Sequence, residues 1–233
     1  MPDPDQIGKS IIAAAPVSAP NTAGRLLRRV LEFAIDGSEQ LPGARIAAGH
    51  QLVKQGSAEG AIDSLIRNHA AMCGAQGFVT NLGGFVTLVV GAPTNLAGIA
   101  LLQSRMVAAI AHLRGYDLND SRVRHAVLTT LLGKKIVDDL VERGELPGSP
   151  LVLATAPGLD RELEQLIAQR VMTALLTTVG GKQAIRLIAR AIPVVGGGVG
   201  AATDSWNTLA VGRYAREQFI SRRRADNTAA PGQ

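Results

Sequence analysis

Residues 68–104 read NHAAMCGAQGFVTNLGGFVTLVVGAPTNLAGIALLQS, 37 consecutive positions without Asp, Glu, Lys or Arg, bracketed by Arg67 and Arg105. Elsewhere in the chain a charge recurs every few residues, so this gap stands apart. Proline suits the first turn of a helix and disrupts a helix interior, which places a break at Pro93 and divides the stretch into two apolar arms. Each arm is about 15–20 residues long, at or just below the ~20 needed to cross a hydrocarbon core. Gly74, Gly77, Gly83, Gly84 and Gly91 each lower helix propensity by up to ~1 kcal/mol relative to Ala. Close approach of two backbones is what apolar helices gain from such small residues. The expectation is a glycine-rich helical hairpin. Two environments suit it: the centre of a soluble bundle, with Thr80, Asn81, Thr87 and Asn95 bonded internally, or a bilayer that the hairpin enters or shelters beside.

Outward from this centre the pattern is helical. Leu26, Leu27, Val30, Leu31 and Ala34 recur at helical spacing, with Arg25, Arg28, Arg29, Glu32 and Asp36 on the other side. Pro42 and Gly43 end that helix. A short helix is expected over Ala44 to Lys54, and a third follows Gly56 and Ser57 with Ala61, Ile62, Leu65 and Ile66 inward. Asn119 to Leu132 and Asp160 to Thr177 repeat the theme, with Pro147, Gly148 and Pro150 between them. A second glycine cluster, Gly196 to Gly200, reads as another hairpin turn, with a helix from Val199 through Trp206 and Tyr214 to Phe219. Only Leu151 to Leu153 alternates, too briefly for a sheet. The expected fold is therefore all-α, a multi-helix bundle with the hairpin at its centre. Residues 1–21, rich in Pro and small residues, are expected to form a disordered arm; 22–224 a single helical domain; and 225–233 a disordered tail.

Composition narrows the function. The 233 residues are 46% hydrophobic, 3% aromatic and 18% charged, with 24 Lys and Arg against 19 Asp and Glu, a net charge of +5. Such apolar content excludes a disordered chain, and a single Cys excludes a disulfide scaffold or thiolate-rich zinc module. A secretory signal needs a basic start and a longer apolar run than Ile11 to Ala15, so a cytoplasmic location is expected. Gly196-Gly-Gly-Val-Gly-Ala201 matches a dinucleotide fingerprint, but a basic helix, not a strand, is expected before it. Gly180-Gly-Lys-Gln183 lacks the first glycine and the hydroxyl of a phosphate loop. His50, His69, His112 and His125 show no ligand spacing, and Cys73 has no base beside it, so neither a metal nor another cofactor is expected. Nucleic acid is not an expected partner either, because the basic clusters lack interleaved aromatics and no groove-reading motif is present.

Several segments together resemble a known family. Asn68-His69 through Gly77-Phe-Val-Thr-Asn-Leu-Gly-Gly-Phe85, Ala92-Pro-Thr-Asn-Leu96, Gln103-Ser-Arg105, Ile110-Ala-His-Leu-Arg-Gly-Tyr-Asp117 and Ile192-Pro-Val-Val-Gly-Gly-Gly-Val-Gly200 are similar, in this order, to the bacterial EcsC protein family. The resemblance covers roughly Ala44 to Phe219. It departs from the family pattern at Asn95, where many members carry Asp. It implies an all-helical domain of poorly defined activity, linked through its namesake's operon to an ABC-type transporter. It supplies no catalytic residues.

The residues themselves point to a protein of the cytoplasmic face, peripherally associated with the inner membrane, whose partner is an anionic membrane or lipid. Phe78, Val79, Leu82, Phe85, Val86, Leu88, Val89, Val90, Leu96 and Ile99 are the expected lipid contacts. Arg105, Arg186, Arg190, Arg222, Arg223 and Arg224 are expected near phosphate headgroups, each adsorbed cation contributing ~1 kcal/mol. The alternative is a soluble helical adaptor docking a membrane transporter or another protein. An enzyme is not expected; the polar set it would draw on is Asn95, Gln103, Arg105 and Asp204.

Overall fold

The computed structural model describes residues 20–38, 41–74, 94–158, 162–171 and 196–222, with backbone only for 20–27, 94–97 and 196–203. The described residues are all-α: α1 (Pro20–Asp36), α2 (Ala44–Gln55), α3 (Ala58–Gly74), α4 (Thr94–Leu113), α5 (Ser121–Thr130), α6 (Lys134–Glu142), α7 (Pro150–Thr155), α8 (162–171) and α9 (Gly196–Gln218). Their only β feature is an isolated bridge between Gly37 and Pro42 at the α1–α2 turn. Gly37 adopts φ +80°, and a Cβ there would lie 2.2 Å from the Gly43 nitrogen. Both the conformation and the space demand glycine.

α4 is the axis of the bundle. Every residue from Leu101 to Ala111 is buried, which accounts for its lack of a polar face. α1, α2, α3, α5 and α9 all pack on it. The second arm of the charge-free stretch is thus core helix: Ile99, Leu101 and Leu102 are covered by Val30, Ala34 and Leu41 and by Cys73 of α3. Ile99 is therefore an internal packing residue in the described bundle, not the lipid contact expected from sequence. The first arm lies outside the described residues, and with it Phe78, Val79, Leu82, Phe85, Val86, Leu88, Val89 and Val90. Leu96 lies in the first turn of α4, described as backbone only.

Three local differences have physical reasons. α9 begins at Gly196, so glycines expected to form a hairpin instead make its first turn. Helix stability in proteins comes mainly from packing, here along α3 and α4, and it overrides glycine's propensity. Two short helices, α6 and α7, occupy stretches read from sequence as a basic cluster and a proline break. α6 is anchored by Val137 and Leu140, and α7 by Leu153 and Ala154, with Pro150 in its first turn.

The entry to α5 is well capped. The Asp120 carboxylate accepts from the Arg122 backbone N–H at 2.9 Å and from the Arg122 guanidinium at 2.6 Å. That guanidinium also donates to the Ala156 carbonyl after α7. Its hydrogen bonds to Arg122 hold the Asp120 carboxyl below its usual range. Asp120→Ala should cost about 1–2 kcal/mol, read as a lower urea midpoint with unchanged m, because it removes the cap and leaves Arg122 without its carboxylate.

Candidate functional site

Between α3, α4 and α9 lies a layer of buried polar side chains, built around Arg105 in the middle of α4. Its Nε donates to the Pro42 carbonyl at 2.6 Å, and its Nη1 to Nε2 of His69 at 2.8 Å. A guanidinium has no acceptor, so Nε2 must be the bare nitrogen; Nδ1 then carries the proton and donates to the Leu65 carbonyl at 2.8 Å. His69 is 2% exposed and Arg105 8%. Burial, followed by the positive charge of Arg105, pushes the imidazole down to about 4 against the opposing pull of the Leu65 bond, so His69 is neutral at neutral pH. Burial also lowers the Arg105 guanidinium from its ordinary value.

Beside this pair, the Gln103 amide donates to the Thr208 hydroxyl at 3.1 Å, which in turn donates to the Asp204 carbonyl at 2.8 Å. The Ser205 hydroxyl donates to the Ala70 carbonyl at 2.8 Å. Cys73 lies among these groups. Burial raises its thiol to about 11; a hydrogen bond with Thr208 offsets part of that rise and the Asp204 charge adds to it. A thiol held neutral in this way is a packing group and a poor nucleophile. Gln103 and Arg105, two members of the polar set considered for catalysis, are thus buried here, and the Asp204 carbonyl accepts from the Thr208 hydroxyl one turn along α9, while the Asn95 side chain lies outside the described residues. The polar atoms of Gln103 and Arg105 bind α3, α9 and the α1–α2 turn, so the layer sets how these elements are registered.

The register gives the bundle two distinct poles. Asp63 pairs with Arg216, Ile66 faces Gly212 and Ala70 bonds Ser205, so α3 runs antiparallel to α9. Gln103 bonds Thr208 and Met106 faces Gly212, so α4 runs parallel to α9. Consequently α3 ends at Gly74, α4 begins at Thr94 and α9 begins at Gly196 at the same pole. The chain continues from there into the first arm of the charge-free stretch at 75, returns from it at 93, and enters α9 through the second glycine cluster at 196. Arg28 and Arg29, just before Val30 in α1, are exposed, as is Arg67 near the end of α3.

The opposite pole is charged. Arg114 pairs with Glu59, Arg216 with Asp63, and the Arg216 Nε lies 3.8 Å from Glu59. Beyond α9, the Arg222 N–H donates to the Arg114 carbonyl at 2.8 Å, and its guanidinium sits 5.2 Å over the Tyr116 ring. Tyr116 in turn meets Phe219 edge to face, with centroids 5.2 Å apart.

This arrangement divides the arginines expected to form one headgroup belt. Arg105 is an internal strut, because its Nε and Nη1 are hydrogen-bonded inside the bundle and its side chain is covered. Arg222 lies beyond the far end of α9, whose 23 residues span about 35 Å. Arg186, Arg190, Arg223 and Arg224 lie outside the described residues. The sequence carried no spacing signal for the His69–Arg105 pair, since its members come from different helices. The one clue was that His69 lies at the start of the uncharged stretch and Arg105 just past its end. Among the described residues no helix is long and apolar enough to cross a membrane.

No curated protein and no solved structure matches the chain. A family match does exist, over residues 6–223, which takes in every described helix and extends well before the Ala44 to Phe219 region whose motifs suggested it. With that coverage and an all-helical fold, the chain belongs to the EcsC protein family.

Proposed function

We propose that the protein attaches to the surface of an anionic membrane, on its cytoplasmic face, through the pole at which α3 ends and α4 and α9 begin. The observation that carries this reading is the convergence of those three ends. It puts both junctions of the uncharged segment 75–93 at the pole toward which exposed Arg67 of α3 and exposed Arg28 and Arg29 of α1 lie, while the ion pairs that join α3, α4 and α9 gather at the other pole. An uncharged segment whose junctions share a pole with exposed cations suits a bilayer, whose headgroups attract cations and whose interior accepts apolar side chains. Attachment is peripheral in this reading: 75–93 meets the interface and the bundle stays in water. No catalytic step is needed.

Liposome flotation tests it. The protein should float with vesicles of equimolar phosphatidylcholine and phosphatidylglycerol at about 0.01 M salt, where charges act over ~30 Å, and bind far less near 1 M, where they act over ~3 Å. Absence of flotation at low salt overturns the proposal. The adaptor reading draws on a different observation. Ile46, His50 and Val53 share one exposed face of α2, with Val53 87% exposed, which offers a protein partner apolar contacts away from the membrane pole. A protein that stays monodisperse without detergent and ignores vesicles favours that reading.

A further inference from the structure

The chain has one tryptophan, and it is the most exposed of its aromatic residues for which burial is described: Trp206 of α9 is 71% solvent-accessible. A lone exposed apolar side chain needs no explanation by itself. Its position is what distinguishes this one. The neighbouring Ser205 hydroxyl bonds the Ala70 carbonyl, four residues before the end of α3, so Trp206 sits about 6 Å, roughly one helical turn, from the level at which the uncharged segment begins. Arg213, two turns further along α9 on the same side of the helix, is also exposed. Arg67 is exposed at a similar level on α3, one turn before Ala70.

An indole combines a large apolar ring with a single N–H donor, a pairing that favours the boundary between acyl chains and headgroups. Exposed cations on α3 and α9 suit the phosphates beside it. We propose that Trp206 is the interfacial anchor of this pole, with its indole seated at the headgroup level of an anionic bilayer and Arg213 and Arg67 on the adjoining phosphates. This rests on the membrane reading above and names a residue outside the uncharged stretch that makes contact.

Because Trp206 is the only tryptophan, its emission reports this residue alone. Equimolar phosphatidylcholine and phosphatidylglycerol vesicles should shift the emission of the full chain to the blue. Lipids brominated near the headgroup end of the acyl chain should quench it more than lipids brominated near the methyl end. Trp206→Ser, at a surface position that leaves the helical circular dichroism unchanged, should bind about tenfold more weakly, as expected for losing one large apolar contact. Trp206→Phe should retain most of the affinity. If the wild type floats but its emission does not move, or Trp206→Ser binds as the wild type does, the anchor is wrong and the membrane reading stands. If the wild type does not float, both fall. A blue shift that grows with protein concentration in the absence of vesicles assigns Trp206 to a contact between copies and overturns the anchor.

Discussion

Between neutral pH and about pH 4 the protein should lose about 3 kcal/mol of stability through His69 alone. The native imidazole is held near 4, while the unfolded chain takes a proton at about 6.5. Below 6.5 the unfolded state therefore binds a proton that the native state refuses, and acid favours unfolding. Stability is fully present above pH 6.5 and falls as pH drops toward 4, with a slope of up to about 1.4 kcal/mol per pH unit. The Asp120 carboxyl, held below 3.8, contributes in the same direction only at lower pH, so the two windows are separable. Urea unfolding at a series of pH values measures the effect. His69→Leu should flatten the profile between pH 6.5 and 4, and should itself cost about 2–3 kcal/mol at neutral pH, because a buried guanidinium loses one of its acceptors. His69→Gln should flatten the profile too, at a smaller neutral-pH cost if its amide oxygen reaches Arg105. An acid loss in His69→Leu equal to that of the wild type would show that another group drives it.

Gly212→Leu should destabilise the fold by about 3 kcal/mol, the upper end of what overpacking a core usually costs. Gly212 is where α9 crosses both α3 and α4: a Cβ there would lie 2.8 Å from Cγ1 of Ile66 and 3.2 Å from Sδ of Met106. The residue lies within a helix and has no left-handed backbone to strain, so the cost is steric. The helix propensity regained on replacing glycine, up to ~1 kcal/mol, offsets only part of it. Pushing α9 away would also lengthen the Gln103–Thr208 and Ser205–Ala70 hydrogen bonds on the same helix. Gly49→Ala is the control. Apart from its chain neighbours and its own helix backbone, no atom lies within 4 Å of its added methyl group, so it should be neutral or stabilising by about 0.5–1 kcal/mol. Thermal and urea unfolding of the two variants, each compared with the wild type, read out the difference. Equal stability of Gly212→Leu and the wild type would mean that α9 does not seat at this crossing.

Helix identity was legible wherever the pattern was long. The stripe residues Val30, Leu31 and Ala34 and those from Ala61 to Ile66 are buried faces, and α4 starts one residue after Pro93, because hydrophobic period and proline stereochemistry are local properties. Short elements escaped. Lys134–Glu142 and Pro150–Thr155 are too brief to hold alone and owe their helicity to the core they touch. The glycine run at the start of α9 misled for the same reason in reverse, since its intrinsic preference is overridden by neighbours distant in sequence.

The order of residues by itself determined that the chain is helical, that its middle is uncharged and that this middle is flanked by arginines. Only the tertiary structure decided what those arginines do. Arg67 remains in solvent, Arg105 turns inward to a neutral imidazole, and Arg222 lies about one helix length away over an aromatic ring. Charge and hydropathy are carried by each residue wherever it goes, so sequence reports them directly. Burial, pairing and distance between poles depend on how helices far apart in the chain are registered against one another, and here that register is set by contacts such as Ile66 to Gly212 and Gln103 to Thr208, which no local pattern encodes.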